Sequence, residues 1–169
     1  MNAEDLKAAQ APLKALYQQD PSRALHTLRA TGRIGDDAPT VTLESGHGRV
    51  TAGLHPATGG SGQEACSGDM LLEALAACSG VTLKAVATAM GIELRDARVT
   101  VEGDLDFRGT LGVSKDVAVG FSAIRLQFTL DTDATDTQLE TLLRLSERYC
   151  VIYQTLRLPP MLTLTRSAA

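Results

Sequence analysis

The chain has 169 residues, 44% of them apolar, which is enough for one domain with a real core and too short to make two a comfortable fit. A net charge of -4 with no Lys/Arg-rich run excludes an electrostatic footprint for nucleic acid, and 4% aromatics without Trp offer neither a base-stacking platform nor a membrane-interface belt. The N-terminus carries charges throughout and lacks the apolar stretch of a signal peptide, so a cytoplasmic protein is expected.

Residues 3–19 hold helix formers, with Leu6, Leu13, Leu16 and Tyr17 at roughly helical spacing and Asp20-Pro21 as a stop. They predict a helical N-terminal extension over residues 1–21, ahead of a single domain over 22–169. Residues 24–34, 40–45 and 49–54 are separated by Gly, Asp and Pro and predict a three-strand meander, with Ser45, Gly46, His47 and Gly48 as its clearest turn. The Gly/Pro-rich stretch over residues 55–62 predicts a loop, because it breaks both helix and ladder. Residues 70–90 then read as a central, wholly buried helix ended by Gly91, with Ser67 and Asp69 supplying capping and dipole-compatible groups. Glu73 and Lys84 interrupt its apolar run, so a membrane span is not expected.

Val99, Val101, Leu105 and Phe107 alternate with polar residues, the period of a half-buried strand. Val117, Val119 and Phe121 form one alternating set and Ile124, Leu126, Phe128 and Leu130 another in opposite phase, which predicts a returning strand with a bulge near Ser122-Ala123. Residues 136–150 predict a second helix, capped by Asp133 or Thr135, with Leu139, Leu142, Leu143, Leu145 and Ser146 on its core face. Pro159-Pro160 precedes a last short strand over residues 161–165. Strands and helices do not alternate, which favours an α+β architecture with antiparallel sheets around the central helix over a doubly wound one.

Three cysteines in a chain with no export signal argue for free or reactive thiols rather than a disulfide framework. Cys78 lies within the buried helix and Cys150 ends the second one. Each alone reads as an inert small hydrophobe; together, two helix-borne thiols suggest peroxide chemistry, in which one becomes a sulfenic acid and the other resolves it. Cys66 lies where a helix N-terminus begins and is a possible third redox thiol, equally well a small loop residue. His47 and His55 fall in loops; His55 is placed either at a site entrance or on the surface without function. No C-x-x-C or H-x-x-x-H spacing occurs, so no metal is expected.

The segment SGDMLLEALAAC, the Ser/Gly-rich loop before it and LSERYC together resemble the OsmC/Ohr superfamily, whose element order also matches over roughly residues 24–166. The resemblance implies an intertwined homodimer with two sites at the subunit interface, peroxidatic Cys78 and resolving Cys150. It further implies reduction of organic hydroperoxides or hydrogen peroxide by a dithiol donor, with no cofactor. Hydroperoxide reductases of this family usually begin the central helix with Pro-Glu, whose Glu orients an Arg that lowers the peroxidatic pKa. Here those positions are Ser67 and Gly68. Asp69 is the adjacent acid, and its expected role is a helix-dipole partner. Arg33 is the better match for the family arginine and Arg49 the second. The Pro that often follows the resolving cysteine is Val151. The missing Glu keeps a second reading open: a non-catalytic member that binds a small hydrophobic ligand or senses oxidants.

Overall fold

A computed structural model describes residues 1–45 and 48–167. The turn residues Gly46 and His47 lie outside the described residues. The chain opens with helix α1 (Ala3–Gln19), started by a capping box in which Asn2 and Asp5 bond each other's backbone N–H groups. Its packed side differs from the expected one: Leu6, Gln10 and Tyr17 are half-buried, while Leu13 and Leu16 are exposed.

The meander is present as β1 (Gly32–Ile34), β2 (Val41–Ser45) and β3 (Gly48–Gly53), antiparallel in that order. The first strand is much shorter than the expected 24–34. Residues 25–31 have no ladder partner, and Leu25 and Leu28 stand in solvent, so their apolar content has nothing to pack on. A two-residue strand β4 (Ala65–Cys66) adds parallel to β3; two residues are too few to leave a period in the sequence. The Gly/Pro stretch is not wholly irregular, since Pro56–Thr58 makes one 3-10 turn.

Helix α2 (Ser67–Met90) is the axis of the fold. It begins three residues earlier than expected, its N-cap is Cys66, and no side chain caps it. Ser67 is therefore the first helical residue rather than a cap. Gly91 ends it in the left-handed region at φ 68°, where a Cβ would be costly, while its N–H bonds the last turn's carbonyls. The helix is not buried on all sides. Leu75, Ser79, Leu83 and Ala87, spaced every four residues, form its one buried stripe, and Val81 on another face is 72% exposed. By length and composition α2 could cross a membrane, but that stripe is packed inside the fold against the elements that follow.

Strands β5 (Asp96–Leu105) and β6 (Phe121–Asp131) form a long antiparallel hairpin. The expected bulge is there: Asp104 pairs Ala123 and Leu105 pairs Phe121, so Ser122 has no opposite number. The strand ends differ from the alternation. Phe107 begins a single helical turn, α3 (Phe107–Thr110), because Asp106 accepts from the Arg108 N–H and turns the chain. Val117 and Val119 lie in the connecting loop, where a period of two has no neighbouring strand to serve.

Helix α4 (Asp136–Tyr149) is capped by Thr135, one of the two expected residues, in a reciprocal box with Gln138. Leu142 and Ser146 are buried on its core face, whereas Leu143 is exposed. Cys150 closes α4 and directly starts a further helix, α5 (Val151–Arg157), which sequence patterning did not separate. No strand follows: residues 161–165 are without regular structure, and Met161, Leu162 and Leu164 are almost fully exposed. The core lies where α2, the β5–β6 hairpin and α4 meet, around Leu83, Ala87, Ile92 and Leu142, with Phe128 and Leu139 against it. Arg95 ties the two ends of the hairpin by bonding Asp131 and Asp133.

Candidate redox site

The α4–α5 junction brings Cys150 against α2. Cys150 is 1% exposed and Cys78 is half-buried, and their side chains lie near enough for each to shift the other's ionisation. All three cysteines of the chain are free thiols. Thr82, one turn beyond Cys78, donates its hydroxyl to the Cys78 carbonyl at 2.7 Å.

The two thiols are not equivalent. Burial pushes the Cys78 thiol up, but the Ile152 backbone N–H, the Cys150 thiol and the Val151 N–H lead the interactions that outweigh it and hold Cys78 below an ordinary thiol. Burial also pushes Cys150 up, and there it prevails. The Tyr153 and Ile152 N–H groups oppose it only in part, while the hydrogen bond to Cys78 and the charge developing there reinforce it. The two thiols therefore titrate as a coupled pair, with the first ionisation favoured at Cys78 and disfavoured at Cys150. The backbone N–H groups that do this belong to the first turn of α5, whose amides have no carbonyl partner within their own helix. This is the contribution sequence reasoning missed, and its signal was faint: Val151 and Ile152 are β-branched and read as a poor helix start.

The other expected residues are elsewhere. Cys66 stands at the start of α2, twelve positions before Cys78, which is about 18 Å along the helix axis. Gly68 is also at that end, and a Cβ on it would stand in van der Waals contact with Phe121 and the Cys66 sulfur. Asp69 is exposed in the first turn of α2, a position that favours a negative charge. Arg33 pairs with Asp36 at 3.7 Å and Arg49 with Glu44 at 2.5 Å, both on the exposed part of the N-terminal sheet. His55 is half-buried rather than fully exposed: its Nδ1 accepts from the Ala57 N–H at 3.0 Å and its ring stacks on Phe107 at 4.7 Å, tying the Gly/Pro loop to α3.

The family model described as OsmC-like protein matches residues 60–165, which spans α2, the hairpin and both thiols. The chain belongs to the OsmC-like family. Solved OsmC-like structures share the fold. An OsmC-like protein from Mycoplasma pneumoniae superposes with a TM-score of 0.66 at 19% identity, over 79% of this chain and 89% of that one. An organic hydroperoxide resistance protein OsmC from Legionella pneumophila gives 0.61 at 20% identity, over 79% and 90%. An organic hydroperoxide resistance protein from Elizabethkingia anophelis gives 0.58 at 16% identity, over 80% and 91%. At these identities the likeness establishes the α+β OsmC fold. No curated protein sequence matches the chain.

Proposed function

We propose that this OsmC-like protein is a thiol-dependent peroxidase that reduces organic hydroperoxides or hydrogen peroxide. The observation that carries the reading is the asymmetric thiol pair: Cys78 is held below an ordinary thiol while its neighbour Cys150 is held above one. The Cys78 thiolate attacks the outer peroxide oxygen, and the O–O bond breaks. The alkoxide leaves and takes a proton, giving the alcohol and a Cys78 sulfenic acid. Cys150 sulfur then attacks the Cys78 sulfur, water departs, and a Cys78–Cys150 disulfide forms. A dithiol or protein-thiol donor reduces that disulfide by exchange. A half-buried attacking sulfur and a buried resolving one suit this order, since the peroxide must reach only the first.

The working unit in this reading is a cytoplasmic homodimer acting without cofactor, nucleic acid or membrane. The N-terminal sheet and the tail leave apolar residues exposed that a second copy would cover. In that dimer Arg33 or Arg49 reaches Cys78 from its own or the other subunit. The ion pairs they make now are exposed ones of about 0–1 kcal/mol, which oppose such a move little. A second reading, a non-catalytic protein that binds a small hydrophobic ligand or senses oxidants, is favoured by Gly68 standing where hydroperoxide reductases usually have Glu.

The test is consumption of tert-butyl hydroperoxide with dithiothreitol, compared in wild type, Cys78→Ser, Cys150→Ser, Arg33→Ala and Arg49→Ala. Cys78→Ser is expected at the uncatalysed rate, and Cys150→Ser to accumulate sulfenic acid detectable by dimedone labelling. Wild-type consumption by Cys78→Ser would sink the enzyme reading and leave the binding one.

A further inference from the structure

Helix α5 supplies the amides that lower Cys78, yet little within α5 itself holds it in place. Its seven residues make about two turns, a length that is marginal for a helix on its own. No side chain caps it, and none of its residues is fully buried. It lies against α2 and α4 with Ile152, Tyr153 and Gln154 half-buried. Open clefts flank it on two sides. One, of about 590 Å³, is lined by Tyr153 and Leu156 among others, and another, of about 460 Å³, by Val151, Thr155 and Leu158. Packing alone therefore leaves the direction of α5 weakly fixed.

One residue of α4 ties it down. The Gln154 side chain donates from Nε2 to the Glu147 carbonyl at 2.8 Å, and the Arg157 guanidinium donates to the Glu147 carboxylate at 2.9 Å. Among the described residues these are the side-chain hydrogen bonds that α5 makes. Glu147 stands in the last turn of α4, where carbonyls have no partner within their own helix, so Gln154 satisfies a group that would otherwise turn to water. Gln154 and Arg157 are three positions apart and share one face of α5. Two bonds from one face to one residue form a clasp, which folds α5 back on α4 and fixes where its first turn points. The two bonds are unequal. The Arg157–Glu147 pair is exposed on both sides and such pairs contribute little, whereas Gln154 is half-buried and bonds the backbone.

We propose that Gln154 is a positioning residue for Cys78: through the Glu147 carbonyl it holds the first turn of α5 against that thiol, with Arg157 assisting at the Glu147 carboxylate. It acts through α5 and not by charge. The interactions that lower Cys78 are led by the α5 amides and Cys150, and no cation is among them. The effect on turnover rests on the peroxidase reading, but the effect on the thiol does not.

The test is the pH profile of iodoacetamide alkylation at Cys78 in the full chain, resolved by peptide mass spectrometry. Gln154→Met keeps the size of the side chain and removes its donor without changing charge. Its Cys78 profile is expected to move to higher pH by about half a unit, which is about threefold slower alkylation on the rising limb. Gln154→Ala removes the donor by truncation and is expected to move the profile alike, so that one misfolded variant does not decide the outcome. Circular dichroism through a urea titration identifies the variants that fold. Amide exchange at Val151 and Ile152 should quicken in both. Thr155→Met alters an exposed position of the same helix and should keep the wild-type profile. The proposal is overturned if a folded Gln154 variant alkylates on the wild-type profile, or if Thr155→Met moves it as far. Turnover of tert-butyl hydroperoxide is read alongside. A shifted profile with no turnover in wild type keeps the positioning role and removes the peroxidase; turnover with an unshifted profile does the reverse.

Discussion

The C-terminal part of the molecule and its N-terminal sheet use apolar residues in opposite ways. Where α2, the hairpin and α4 meet, one face of each helix finds apolar partners within the same chain, and Leu142 is 0% exposed. In β1–β3 and the tail they do not: Ile34 is 74% exposed and Leu164 is 99%. Between the sheet and the start of α2 an apolar cleft of about 540 Å³, lined by Val41, Leu43 and Met70 among others, stays open. One chain completes the part that holds the thiols and leaves the other part unfinished. The thiol pair is therefore a property of the single chain, and whatever the N-terminal sheet contributes depends on what covers it.

The largest effect expected from this contrast is Leu142→Ala, which opens a cavity in the completed part and should cost about 2–5 kcal/mol in urea denaturation. Ile34→Ala under the same conditions should cost under about 0.5 kcal/mol if the sheet stands alone, and a larger loss would show that it is covered. Next comes the tail. Leu162→Asp with Leu164→Asp should shift a homodimer to monomer in sedimentation, and a monomeric wild type would break the comparison. Thr135→Ala removes one half of the α4 capping box and should cost about 1 kcal/mol, again by urea denaturation.

The smallest effect sharpens the comparison at the site. Because the folded protein lowers the Cys78 pKa, its reactive thiolate appears at lower pH than in an ordinary thiol, and iodoacetamide alkylation should rise early as pH increases. Cys150→Ala removes a hydrogen-bond partner of that thiolate, so the midpoint should move up. No movement would mean that the α5 amides alone set it.

Much of this contrast is legible in the sequence where one chain supplies both sides of a contact. The alternation in β5, the phase change that marks the Ser122 bulge, the Thr135 cap and the Gly91 stop are local rules, and the structure keeps them. The failures cluster where the outcome depends on a neighbour. Residues 25–31, Val117, Val119 and the tail carry strand-like composition without a ladder to join. Helix α2 is apolar on nearly every face, so its composition could not say which stripe the chain would bury.

The sequence by itself determined the element types of the central helix, the hairpin and the capped second helix, and it singled out Cys78 and Cys150. Periodicity, caps and turns act over a few residues, so they are written locally. Only the tertiary structure decided that the two thiols come near each other across 72 positions of chain, that their surroundings lower Cys78 and raise Cys150, and that α5 rather than an arginine supplies the donors within one chain. Those outcomes depend on burial and on hydrogen bonds between residues brought together by packing, and neither is a property of any short stretch of sequence.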